Sequence, residues 1–192
     1  MKKTLLLSLL TTILFVSCDS NKDPFTIGEG SIGSLDKNIQ MKQVDSIFAE
    51  DSIVKLNPIK NALGTQGEVE IYDKEGNKLL LLSPEDENDP NATVTNVQVF
   101  DARYKTDKGL TSGSTFKDVK ANYTVSNIET TINSVVVFLK DSEIYLTIDK
   151  QQLPENLRYN PNAKIEASQI PDVAKFKYFM IGWEADTTTE KE

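Results

Sequence analysis

Few side chains in this sequence could carry chemistry, and the first is a single sulfur. Cys18 is the one cysteine among 192 residues, and there is no histidine. Without histidine, imidazole acid–base catalysis, His-dependent triads and His-ligated zinc are excluded. With one cysteine there is no intrachain disulfide and no multi-cysteine metal site. The remaining chemistry would have to come from carboxylates, hydroxyls and cations. Glu85-Asp86-Glu87-Asn88-Asp89-Pro90-Asn91 gathers four carboxylates in one loop, with Asp86 and Asp89 as the candidate calcium ligands. It lacks the alternating spacing and mid-loop glycine of an EF-hand, so a solvated acidic loop is the favoured reading. Arg103-Tyr104-Lys105 is basic and aromatic in a chain of net charge −8, which makes it a candidate partner or ligand surface, the alternative being a linker with one buried tyrosine. Gly28-Glu29-Gly30-Ser31-Ile32-Gly33 matches G-x-G-x-x-G literally. A dinucleotide site needs a buried strand before it and a helix opening at its last glycine, and neither pattern is present. No cofactor is expected, and the acidic charge excludes nucleic acid as a partner.

Cys18 follows Met1-Lys2-Lys3 and the apolar stretch Thr4 to Val16, with only Ser17 between. That stretch is too short for a bilayer, which takes about 20 apolar residues, and has the length of a signal-peptide core. Phe15-Val16-Ser17-Cys18 resembles the lipobox of bacterial lipoproteins, which implies removal of residues 1–17 and lipidation of Cys18. Residues 18–24 then read as a polar tether reaching at most about 25 Å, at about 3.5 Å per residue. Residues 185–192 read as a disordered polar tail. Asp45-Ser46-Ile47, Asp51-Ser52-Ile53 and Asp186-Thr187-Thr188 resemble the O-glycosylation motif of some exported bacterial proteins, giving Ser46, Ser52 and Thr187 as acceptor candidates. The expected location is the cell envelope of a Gram-negative bacterium, lipid-anchored, at the outer membrane.

The elements between tether and tail form one α+β domain, residues 25–184, written as two tandem pseudo-repeats of about 25–101 and 106–183. Each is a short helix followed by an antiparallel β-meander, with helices packed on one sheet face. Shifted by 75 residues, Met41 falls on Phe116, Val44 on Val119, Phe48 on Tyr123 and Ile53 on Ile128. Shifted by 66, Ile71 falls on Val137, Leu80 on Leu146 and Leu82 on Ile148, while Val97 and Val99 correspond loosely to Phe176 and Tyr178. Met41, Val44 and Phe48 lie at i, i+3, i+7, on one helical face. Thr115-Phe116-Lys117-Asp118 has the spacing of a capping box. Glu68 to Tyr72 alternates as a half-buried strand does and turns through Asp73 to Lys78 into Leu79 to Leu82. Val135 to Leu139, apolar on both faces, reads as an interior strand paired with Ile144 to Ile148. Val94 to Phe100 and Phe176 to Trp183 close the units, with Trp183 as an edge cover.

Ile32-Gly33-Ser34-Leu35, Ile71-Tyr72-Asp73, Val97 to Asp101 and above all Lys108 to Asp118 are similar to the sigma-E-regulated lipoprotein family, small envelope lipoproteins with a domain of unknown function. The resemblance supports an envelope lipoprotein and supplies no catalytic residues. At fold level the helix-then-sheet unit also looks like beta-lactamase-inhibitor and outer-membrane assembly accessory domains, which are binding modules. The expected function is therefore non-enzymatic: a membrane-anchored binding or accessory module with an envelope protein or small ligand as partner. The alternative is a carboxylate-dependent hydrolase acting on carbohydrate or peptidoglycan.

Overall fold

The alternating apolar runs become strands, and the glycine-rich start becomes a small sheet of its own. The computed structural model describes residues 23–56, 67–86, 89, 91–159 and 164–183. Strands β1 (Thr26–Gly28), β2 (Ser31–Ile32) and β3 (Leu35–Asp36) fold back on one another antiparallel, and β8 (Lys105–Thr106) joins β1 in parallel. Gly33 sits at φ +56, and a Cβ there would lie 2.5 Å from the Pro24 carbonyl oxygen, so only glycine fits. The Gly-x-Gly-x-x-Gly string therefore serves turns.

The second sheet holds β4 (Ser52–Lys55), β5 (Val69–Tyr72), β6 (Lys78–Pro84), β7 (Val94–Val99), β9 (Val125–Thr130), β10 (Ser134–Leu139), β11 (Ile144–Asp149) and β12 (Tyr178–Gly182). Their spatial order is β4-β5-β6-β7-β12-β11-β10-β9. Every neighbouring pair is antiparallel. One continuous row of paired residues crosses all eight strands: Ile53, Ile71, Leu80, Val99, Phe179, Leu146, Val137, Ile128. The six inner members are buried, and Ile53 and Ile128 are half-buried at the edges. Each fully buried side chain of this kind contributes about 1.5–3 kcal/mol relative to exposure.

Helices supply the other side of the core. A 3₁₀ turn at Met41–Gln43 runs into α1 (Val44–Ile47), and α2 spans Phe116–Asn122. Val44, Phe48, Phe116 and Val119 are buried in the same apolar cluster as the sheet row. The capping box forms at α2, where the Thr115 N–H donates to Asp118 Oδ2 at 2.8 Å. A third short helix, α3 (Glu155–Arg158), and two 3₁₀ turns occupy the stretch between β11 and β12. The class is mixed α+β, dominated by sheet.

Three sequence expectations change. Strands β4 and β9 add an edge to each end of the sheet that the pattern did not separate from its surroundings, because edge strands need bury only one residue in several. The final strand is central rather than peripheral, so Trp183 is buried instead of covering an edge. The loose repeat correspondence of Val99 to Tyr178 does not hold in burial, since Val99 is buried and Tyr178 exposed; the buried residue of β12 is the next one, Phe179, which pairs with Val99, and a one-residue slip moves a side chain to the opposite face.

Candidate functional site

The junction tract was the first candidate surface, and its geometry is that of a tie. The Arg103 guanidinium donates to Asp101 through Nε at 3.0 Å and Nη2 at 2.7 Å, and through Nη2 to Asp73 Oδ2 at 2.6 Å. Asp73 closes the β5–β6 turn by accepting from the Asn77 N–H at 2.8 Å and from the Asn77 side-chain amide. The hydrogen bonds from Asn77, reinforced by Arg103, hold the Asp73 carboxyl down to about 2. Arg103 hydrogen bonding also keeps Asp101 below the ordinary carboxylate range. The guanidinium lies 4.5 Å from the Phe25 ring centre, and Phe25 meets Tyr104 edge-on at 5.0 Å.

Tyr104 is only 3% exposed, and burial pushes its phenol up. It packs into the core beneath the tract, which corrects its candidacy as a partner surface and agrees with the alternative of a linker with one buried tyrosine. Arg103 is exposed but bonded to two aspartates, and Lys105 is exposed on β8, whose other residue, Thr106, is buried. The reason is the parallel pairing of β1 with β8, which draws the tract inward: Lys105 N–H donates to the Phe25 carbonyl at 2.8 Å.

The other candidates fall in several places. Cys18 and Thr187 lie outside the described residues. Ser46 is exposed on α1 and its hydroxyl donates to the Gln43 carbonyl at 2.7 Å; Ser52 is exposed on edge strand β4. Asp86 and Asp89 are exposed, and Asp89 Oδ1 accepts from both the backbone and side-chain amides of Asn91. Among the described residues no group of three or more acidic, cysteine or histidine side chains is arranged to hold a metal.

Two clefts lie at opposite ends of β10 and β11. The proximal one, about 640 Å³, sits beside the start of the small sheet and the β10–β11 turn. There the Tyr123 hydroxyl is 2.7 Å from Thr106 Oγ1, Lys108 lies 4.8 Å from the Tyr123 ring centre, and Glu143 accepts from the Gly30 N–H at 2.8 Å and from Trp183 Nε1 at 3.1 Å. The distal one, about 830 Å³, opens between the β9–β10 turn and the stretch after β11. Lys150, Arg158 and Lys177 line it, against one lining carboxylate, Asp149. That carboxylate accepts from the Gln151 N–H at 2.9 Å and stands 3.8 Å from Lys177 Nζ.

Asp51 is the one described carboxyl raised above its ordinary value, by burial, and it lines neither cleft. The distal cleft escaped sequence reasoning because its cations come from three separate segments. No local signal marks it: Lys150 stands between Asp149 and Gln151 and reads in the sequence as a surface lysine.

No family model matches the chain, and no curated protein matches it. Its structure is similar to the crystal structure of the uncharacterized protein yfeY from Escherichia coli, with a TM-score of 0.51 and 14% identity, over 82% of this chain and 99% of that one. The shared property is the fold.

Proposed function

We propose that this chain is a lipid-anchored envelope protein whose body is a non-enzymatic binding module. The carrying observation is the position of Cys18, immediately after an apolar core of signal-peptide length and a small residue. Acylation there restricts the body to the neighbourhood of a membrane and raises its effective concentration toward partners held nearby. Membership of the sigma-E-regulated lipoprotein family belongs to the same proposal, and the fold shared with yfeY is consistent with it. A binding role fits the acidic groups. Asp73 and Asp101 are both held below the ordinary carboxylate range and tied to Arg103, an arrangement unsuited to a general acid, and the raised carboxyl of Asp51 lines neither cleft.

We also propose that the body arose as one unit written twice. Shifts of 75 and 66 residues bring Ile53 onto Ile128, Ile71 onto Val137 and Leu80 onto Leu146, and these pairs occupy matching positions in the eight-strand row.

Lipidation is tested by growing the producing bacterium with an alkyne-bearing fatty acid and analysing the purified protein by mass spectrometry. The expected result is a mature chain beginning at acylated Cys18, and loss of label and of membrane association in Cys18→Ala. An intact Met1 or a free thiol overturns the proposal.

A further inference from the structure

Lys150 is 4% exposed, at the start of a 3₁₀ turn after β11. Its backbone N–H donates to the Asn133 carbonyl, but among the described residues its ammonium has no hydrogen bond and no ion pair. A buried cation without a counter-charge is costly in any fold. Yet Lys150 lines the distal cleft, where Arg158 and Lys177 add two more cations. Three positive groups converge on one opening in a protein whose net charge is −8. Arg158 is oriented by the bond from its Nε to the Leu153 carbonyl at 2.6 Å.

The rest of the lining narrows the ligand. Tyr159 is 72% exposed, and Ile132 is 90% exposed at the tip of the β9–β10 turn. An open aromatic face beside apolar surface suits the C–H face of a sugar ring. Gln151 and Asn133, both exposed amide side chains in the lining, can donate to and accept from ring hydroxyls. The volume is that of a small-molecule site holding more than one ring.

The cleft also lies at the far ends of β10 and β11 from Thr26, where the chain emerges from its N-terminal segment. Six residues of strand separate the two ends by about 20 Å. A ligand free in the surrounding compartment reaches this end more readily than the headgroups of the anchoring membrane. We infer that the distal cleft binds an acidic saccharide, its carboxylate held by Lys150 with Arg158 and Lys177 and its ring stacked on Tyr159.

This deepens the binding-module reading above and supplies its ligand class. The full chain, purified in detergent, is titrated with digalacturonate, the neutral disaccharide galactobiose and acetate, following affinity by calorimetry and Tm by thermal melt. Digalacturonate is expected to bind at least tenfold more tightly than either comparator, and more weakly as salt is raised. Lys150→Met is expected to reduce digalacturonate affinity at least tenfold, while the ligand-free variant melts at the same temperature or higher, because an uncompensated charge has been removed. Lys177→Gln, on the cleft wall, is expected to weaken binding several-fold without changing the ligand-free Tm. Equal affinity for acetate overturns the saccharide component, and equal affinity for galactobiose overturns the charge component. No binding of digalacturonate, or unchanged binding in Lys150→Met, overturns the site. These failures leave Cys18 acylation untouched, since that is read by mass spectrometry.

Discussion

Arg103 and Lys150 are both cations on a largely acidic protein, and their surroundings could hardly differ more. Around Arg103, Asp101 and Asp73 accept its donors at 2.6–3.0 Å, and the Phe25 ring lies 4.5 Å away. Around Lys150 the ammonium has no described partner, and the nearest lining carboxylate is occupied with Gln151 and held loosely by Lys177. A satisfied cluster fixes geometry; an unsatisfied one stores attraction for something that arrives later. Charge alone, read along the sequence, selected the first and passed over the second.

The contrast can be broken most severely at the junction. Tyr104→Ala removes a buried aromatic beneath Arg103 and is expected to cost about 3–5 kcal/mol, lowering Tm by the order of 10 °C. A thermal melt checks it; a change near zero would mean that the junction is a surface after all.

The next effect is pH-dependent. Asp73 titrates at about 2 in the folded protein, below the value of about 3.9 for an unperturbed aspartate. Its contribution is therefore fully present above about pH 4 and is lost as pH falls toward 2. Asp73→Asn is expected to lower Tm by several degrees at neutral pH and by progressively less on acidification, so that the two melting curves converge near pH 2. Melts at half-unit pH steps measure the convergence.

The smallest effect belongs to the cleft. The Lys177–Asp149 pair is 3.8 Å apart with both side chains more than a third exposed. Solvent and salt screen such a pair, so Lys177→Ala should change stability by less than about 0.5 kcal/mol in denaturant titration. A loss as large as that in Asp73→Asn would erase the distinction between the two clusters.

The elements legible in the sequence were those whose signal is local. Thr115 to Asp118 announced its own cap, and Val135 to Leu139 announced an interior strand because both of its faces are apolar. The hairpin through Asp73 to Lys78 was visible from turn residues between two alternating runs. Less legible were features that depend on what lies across the fold. Ser52 to Lys55 and Val125 to Thr130 bury too little to stand out as strands. The burial of Tyr104 could be weighed from the sequence, but the pairing of β8 with β1 that causes it could not. The short helix Glu155–Arg158 has too few turns for a periodic pattern. Of the candidate site, Arg103 was found for its charge, but its ties to Asp73 and Asp101 were not. Lys150, Arg158 and Lys177 could not be grouped at all, since only the turn after β11 and the start of β12 bring them to one opening.

The parallel pairing of β1 with β8 has a mechanical side. Tension applied at the N-terminus enters the body through Thr26–Gly28, which is hydrogen-bonded to β2 on one flank and β8 on the other. The Gly33 N–H adds a 2.8 Å bond to the Thr26 carbonyl, and Tyr104 packs against Phe25 just before it. Load is thus taken up by this four-stranded clasp, whose Thr26–Gly28 and Thr106 also wall the proximal cleft, before any of it reaches the eight-stranded sheet and the distal cleft at its other end.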